Sequence, residues 1–345
     1  MIESGQLRPT VIRGDWRRPL VGVVMVLAVA VFTVADRHQV LITWRTLVRA
    51  RPMWCVVSGL LLMLWLANAV GLQRAALRVT GVRMRLANVA AATGIAHFLN
   101  LTTKSGGLAG LVGLRAEARR ATLPDNSVVA GYIVAAMLTE WAFVVVVVGS
   151  FAVLVADGHL TVADVIALCA FVVYVASRCA VLVAATKDRE RLRSLMRFPS
   201  RVRSWLRRRP LDASTNHSDE TADRLFDSLR AVRARPGALG AAVGHALATE
   251  VIAIALLWSC LRAVGVSIGP LHTLVVYAVT GLFGIVGFLP GGLGFVEVSM
   301  SAVLVGFGVR SVTAASGVVL YRAFELWLPI VLGAILAHRI RFDTP

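Results

Sequence analysis

The chain has 345 residues, 57% of them hydrophobic and only 16% charged, and its apolar runs recur along nearly the whole length. A soluble domain sits nearer half apolar and a quarter charged, so the sequence reads as an all-α polytopic membrane protein with no room for a soluble catalytic domain. The formal net charge of +17 is carried almost entirely by Arg, Lys104 and Lys187 being the only lysines. The arginines cluster between apolar runs, which fits membrane topology and anionic headgroups rather than nucleic-acid binding.

Residues 1–19 are polar and basic and are expected in the cytoplasm. Residues 20–35 form a short first span, followed by Asp36-Arg37-His38 with no small-residue cleavage site before it. Residues 53–72 form the second, and a basic loop with Arg74, Arg78, Arg83 and Arg85 is expected after it. Residues 86–101 are apolar but run into Thr103-Lys104-Ser105-Gly106-Gly107, which breaks the span before 108–114. Residues 128–156 are a long span containing Glu140, and 160–185 return inward. Residues 186–237 are a soluble insert with two basic amphipathic patterns, suited to an anionic bilayer surface or to docking on the bundle. Residues 238–264 hold His245 and Glu250; 271–289 lead into a second break; 293–309 and 314–337 complete the chain, which ends on His338, Arg339 and Arg341. This gives about eight spans in three parts: a first half 1–185, the insert 186–237 and a second half 238–345. The multi-pass chain is expected in the cell (plasma) membrane with both termini cytoplasmic. The basic stretch 37–51 then falls on the outer face, against the charge rule. Cys55, Cys169, Cys179 and Cys260 lie in apolar segments without CxxC spacing and read as small buried hydrophobes. No metal, cofactor or nucleotide motif is present, and no catalytic residues are assigned.

The second break is the centre of the reading. Gly287-Phe288-Leu289-Pro290-Gly291-Gly292-Leu293-Gly294 interrupts an apolar region, and Glu297 follows three residues later. Broken backbone in hydrocarbon must be buried in protein or line a wet cavity, because an unpaired N–H or C=O there costs several kcal/mol. Sliding the chain on itself by 185 residues places Gly106-Gly107-Leu108 on Gly291-Gly292-Leu293 and Glu140 on Glu325. The charge bias has the two breaks entering from opposite faces, which gives an inverted repeat with re-entrant helices and a site at the midplane.

Residues 287–333 resemble the transmembrane domain of lysylphosphatidylglycerol synthases and the wider flippase-like family. Leu289-Pro290-Gly291-Gly292-Leu293-Gly294, Glu297, Leu320-Tyr321-Arg322 and Trp327-Leu328-Pro329 carry the resemblance, which extends more faintly over 53–337. It implies movement of aminoacylated phospholipids or lipid-linked sugars between leaflets, with Gly291, Gly292, Glu297 and Arg322 in the site. The family's first break often reads Pro-x-Arg-x-Gly-Glu, which is absent here, as is the soluble aminoacyl-transferase domain. Met137 stands where the shift would put a counterpart of Arg322.

The expected function is therefore a flippase-like transporter of an anionic phospholipid or lipid-linked headgroup. The alternatives are an enzyme of cell-envelope lipid or lipid-linked sugar synthesis, or a non-transporting subunit that docks a cell-envelope synthase through 186–237. The candidate substrate-binding residues are Arg322, Glu325, Glu297, Glu140, Gly291, Gly292, Gly294, Lys104, Gly106 and Gly107. Arg322 and Glu325, at i and i+3, either form a structural pair or hold a lipid phosphate by a forked hydrogen bond with a glutamate releasing it. Glu297 either caps a helix or takes part in transport, and free N–H groups from Gly292 to Gly294 are expected to suit an anion. Glu140 is expected to partner a charge from the second half. His245 and Glu250 are weighed as a proton relay, while Asn68, His97 and Asn100 read as interhelical hydrogen bonds.

Overall fold

The computed structural model describes residues 48–102, 108–120, 124–158, 165–166, 168–169, 171–177, 235–286, 289–333 and 335. Among these every regular element is helical. The helices are α1 Pro52–Val79, α2 Leu86–Thr102, α3 Leu108–Arg120, α4 Asp125–Ala156, α5 Pro236–Ala263, α6 Pro270–Val286, α7 Phe295–Gly306 and α8 Ser311–Arg322. A further helical stretch lies at 165–166, 168–169 and 171–177. The expected first span 20–35 and residues 186–234 of the insert lie outside the described residues. The final two insert residues, Pro236 and Gly237, belong to α5.

Among the described residues, four helices are long and apolar enough to cross a bilayer: Pro52–Val79, Asn126–Ala156, Pro236–Ala263 and Ser311–Gly333. At ~1.5 Å per residue the 28-residue α1 and α5 exceed a ~30 Å hydrocarbon core. The 13-residue α3 and 12-residue α7 reach only about 20 Å. Each short helix packs against the 17-residue helix before it, α3 on α2 and α7 on α6. Large apolar side chains such as Val56, Leu60, Leu64, Val145, Val148 and Val298 are exposed, as on a lipid-facing surface. The chain is thus an all-α, multi-pass membrane protein.

The helix ends follow local chemistry. Pro52 and Pro236 open α1 and α5 at the first turn, where a missing N–H costs nothing. Both close in the same way. Val82 N–H donates to Leu77 O and Gly81 N–H to Arg78 O, while Val266 N–H donates to Leu261 O and Gly265 N–H to Arg262 O. The closing sequences are Leu77-Arg78-Val79-Thr80-Gly81-Val82 and Leu261-Arg262-Ala263-Val264-Gly265-Val266. Glycine supplies the left-handed residue this end requires, at φ +88° and +85°. The span expected to stop at Leu72 therefore continues to Val79. Arg74 and Arg78, expected in a loop, ride its last two turns, since nothing before Gly81 ends the helix.

α1 and α5 form the central pair. Ser58 Oγ meets Ser259 Oγ at 2.8 Å, and Asn68 Nδ2 donates to His245 O and Thr249 Oγ1, both at 2.8 Å. Arg235 Nη1 reaches Arg78 O and Val79 O, and Arg51 N–H donates to Ala263 O. Numbers rise along one helix as they fall along the other, so the pair is antiparallel. Alanines at the seam, Ala75, Ala76, Ala242 and Ala246, let the backbones approach, with Ala130 and Ala135 of α4 completing the cluster. The second-half core is bulkier, with Leu257, Leu261, Met300, Leu304 and Val318.

The helices recur in order. α5 and α6 start 184 residues after α1 and α2, with equal lengths of 28 and 17 residues, and α7 and α8 follow in the places of α3 and α4.

Candidate functional site

The second break is built from a proline, three positive-φ glycines and one arginine. Pro290–Gly292 make a single 3-10 turn, with Gly291 at φ +62°, Gly292 at +66° and Gly294 at +83°. A Cβ on Gly291 would lie 2.7 Å from Leu326 Cδ1, so the turn sits directly on the last span. Gly294 N–H donates to Glu297 Oε2 at 2.7 Å, closing the start of α7. Glu297 is thus a cap, and also more than a cap. Arg322 Nε donates to Glu297 Oε1 at 2.7 Å, Nη1 to Glu325 Oε2 at 2.7 Å and Nη2 to Gly291 O at 2.6 Å. Arg322 is 4% exposed, whereas Glu297 and Glu325 keep 31% and 35% of their side-chain surface open. One guanidinium therefore joins the turn, the start of α7 and the end of α8.

Glu325 reaches Arg322 from an unusual piece of helix. Ala323–Trp327 form a π turn, with Leu328 N–H bonded to Ala323 O. The extra residue lies directly after the arginine, and such bulges favour functional positions.

Two expectations for this region are narrowed. The N–H groups of Gly292 and Gly294 are engaged: Gly292 donates to Leu289 O and Gly294 to Glu297. Arg322 uses one N–H each of Nε, Nη1 and Nη2 on protein acceptors, three of its five donors.

Behind the cluster lies a cavity of about 410 Å³. Its lining includes Arg322, Glu325, Gly291 and Gly292, Glu250 and Tyr277, and Trp65, His97 and Asn100 of the first half, among apolar side chains such as Leu62, Phe143 and Met300. A second cavity of about 770 Å³ adjoins it, sharing Trp65, His97, Asn100, Thr139, Phe143 and Glu250 in its wall, and Glu140 lines this one. The two are neighbouring chambers of one hollow bordered by both halves. Several wall atoms are polar, buried and without a protein partner: Thr280 Oγ1 and His97 Nε2 in the first chamber, Gln73 Nε2 and Thr93 Oγ1 in the second. Buried polar groups left this way disfavour a dry apolar filling.

Glu250 is buried and accepts a hydrogen bond from Tyr277 Oη at 2.9 Å. His245 Nδ1 instead meets Asn68 Oδ1 at 2.7 Å on the α1 seam. The structure does not join His245 and Glu250 as a relay; five residues along a helix place them on different faces. Asn68 makes the interhelical bonds expected of it. Asn100 does so too, donating to Tyr132 Oη at 3.0 Å and accepting from Gly110 N–H at 2.9 Å. His97 does not: its ring lies 4.9 Å from that of Trp65, and its Nε2 has no partner.

Arg322, Glu325, Glu297, Gly291, Gly292 and Gly294 thus come together around one turn. Glu140 lines the second chamber, and the two glutamates paired with Arg322, Glu297 and Glu325, both come from the second half. Lys104, Gly106 and Gly107 lie outside the described residues. Tyr277 and Thr280 were missed by the sequence reading. Their signal is two hydroxyl residues at i and i+3 in the apolar body of α6, beyond His272 and Thr273 at its start.

A broken-helix turn held by an ion cluster, beside a hollow that carries buried polar groups and among helices long and apolar enough to span a bilayer, marks a multi-pass membrane protein. The profile of the lysylphosphatidylglycerol synthase TM region matches residues 20–333, and the chain belongs to that family. It is also 30% identical over 154 residues to a UPF0104 membrane protein of Methanothermobacter thermautotrophicus, a match covering 41% of this chain and 44% of that relative's length.

Proposed function

We propose that the protein moves the polar headgroup of a lipid between leaflets through the hollow between its halves, the acyl chains staying in the bilayer. The observation that carries this reading is that charged and unpartnered polar groups from both halves face one hollow at the broken helix. In hydrocarbon such groups are expensive and belong to a polar path or site. The recurrence of helices in the same order, with the two lead helices antiparallel, supports an inverted repeat, the architecture in which halves rock about a midplane site.

The wall chemistry favours a headgroup that carries amine or hydroxyl groups. Glu140, Glu250 and Glu325 face the hollow against Arg322, whose charge is already answered by two glutamates. The lysyl headgroup in the family's name has this character. In this reading Arg322, Glu297 and Glu325 form a latch that holds the Pro-Gly-Gly turn against the last span, and movement of cargo requires it to shift. The protein is not itself the catalyst of headgroup synthesis. It sits in the plasma membrane with its arginine-rich ends, and both termini, on the cytoplasmic side.

Reconstitution into liposomes with fluorescent headgroup-labelled phospholipids tests this. The expected result is dithionite-accessible exchange between leaflets that Arg322→Ala abolishes. Exchange equal to that of protein-free liposomes, from protein that remains folded, would overturn it.

A further inference from the structure

The two ends of the α1–α5 pair are built alike and equipped differently. At each end a helix closes with Leu-Arg-x-x-Gly-Val, and the start of the partner helix lies against its last carbonyls. At one end the arginine of that motif, Arg262, lies over the Trp258 ring at 5.1 Å from its centroid, and Trp258 Nε1 in turn donates to Ile268 O. At the other end the equivalent Arg78 is exposed and shares a cleft of about 550 Å³ with Arg83 and Arg235. The same turn thus places one arginine under an aromatic sheath and three around an open cleft.

Arg235 reaches across to the end of α1. Its Nη1 lies 3.4 Å from Arg78 O and 3.3 Å from Val79 O, capping the carbonyl end of α1. Gly81 makes room for it, since a Cβ there would collide with the guanidinium. The α5 start adds to the field: its first turn holds no acidic residue, Arg235 provides no side-chain cap, and Ala238 of that turn lines the cleft. No carboxylate among the described residues pairs with any of the three arginines. Arginines that serve topology alone need only lie near a span's end. Three that converge on one cleft, one of them hydrogen-bonded to the end of α1, favour an anion between them, and a forked guanidinium suits phosphate oxygens.

We propose that Arg78, Arg83 and Arg235 form a binding site for a phosphate oxyanion, supplied by an anionic phospholipid headgroup of the leaflet at that end or by a soluble phosphate. The site lies apart from the hollow and stands whether or not the transport reading holds. Basic pockets between spans bind anionic headgroups by this chemistry.

The test uses the full chain in phosphatidylcholine nanodiscs, following thermal unfolding by tryptophan fluorescence while dihexanoyl phosphatidylglycerol, dihexanoyl phosphatidylcholine or inorganic phosphate is titrated. Phosphatidylglycerol is expected to raise the midpoint by several degrees and phosphatidylcholine to leave it unchanged. The double variant R78Q/R83Q, which spares the Arg235 cap, is expected to weaken the response at least tenfold. R74Q/R85Q, which removes the same charge outside the cleft, is expected to keep it. An equal, Arg78/Arg83-dependent shift with inorganic phosphate assigns the site to soluble phosphate. No shift with either anion, or equal loss in both double variants, would overturn the proposal.

Discussion

The end of α2 and start of α3, and the end of α6 and start of α7, are held by different chemistry. In the second half a buried guanidinium gathers two carboxylates and a turn carbonyl, joining three backbone elements. In the first half the described flank of the break is held by a neutral amide, with Asn100 bridging Tyr132 and the N–H of Gly110. Met137 occupies the counterpart of the arginine position. A short helix packed on the helix before it is thus held by an ion cluster in one case and by a hydrogen-bonded amide in the other. The hollow carries Arg322 and Glu325 at one end and Glu250 and Glu140 further in, set in walls that are otherwise largely apolar. Charged hydrogen bonds are stronger than neutral ones, and removing one member of a buried pair leaves an uncompensated charge. The two regions should therefore respond unequally to the same kind of damage.

The largest effect is expected from Arg322→Ala. It strands Glu297 and Glu325 beside the turn, at a cost of about 3–5 kcal/mol by analogy with buried ion pairs, read from denaturant unfolding in micelles. Arg322→Lys keeps the charge but loses the planar fork and should recover only part of the loss, because one ammonium cannot replace three differently directed contacts. Next comes Gly291→Ala. A non-glycine residue at φ +62° costs roughly 1–2 kcal/mol, and the contact with Leu326 adds overpacking of about 1 kcal/mol or more. Thermal unfolding should show it, with Gly294→Ala milder because nothing lies within 4 Å of a Cβ there. Asn100→Ala should cost only about 1–2 kcal/mol, the worth of one or two neutral hydrogen bonds. If Asn100→Ala cost as much as Arg322→Ala, the asymmetry between the halves would be lost. The smallest effect is expected from Tyr277→Phe, about 1 kcal/mol, since it removes one hydrogen bond and keeps the ring.

Local features of the site were legible in the sequence. Pro290-Gly291-Gly292 announces a turn because only such residues take those angles. Arg322 and Glu325 pair because i and i+3 share a helix face, although the π turn between them left no sequence signal. What joins distant segments was not legible. Glu297 meets Arg322 across 25 residues, Glu250 meets Tyr277 across 27 and Asn68 meets His245 across 177, none with a local pattern to mark it. The sequence comparison at an offset of 185 found the glycine pairs and passed over Leu-Arg-x-x-Gly-Val, which repeats at 184 and ends the two lead helices identically. An ungapped shift cannot follow the change in spacing between the first helix pairs and the later ones. The end of α1 differs from the sequence expectation for a physical reason: Arg74 and Arg78 look like the onset of a loop, yet arginine is a good helix former and its head can reach water from a helix end.

The most direct test of a polar passage between the halves is the reactivity of Thr280→Cys, a 4% exposed position whose hydroxyl lines the first chamber without a protein partner. In vesicles of each orientation, a small membrane-impermeant thiosulfonate should modify this cysteine from at least one face, at a rate that an amine-bearing headgroup lipid slows. A cysteine that stays inert from both faces in folded protein would mean that the hollow is closed to water, and the account of headgroup passage would fail.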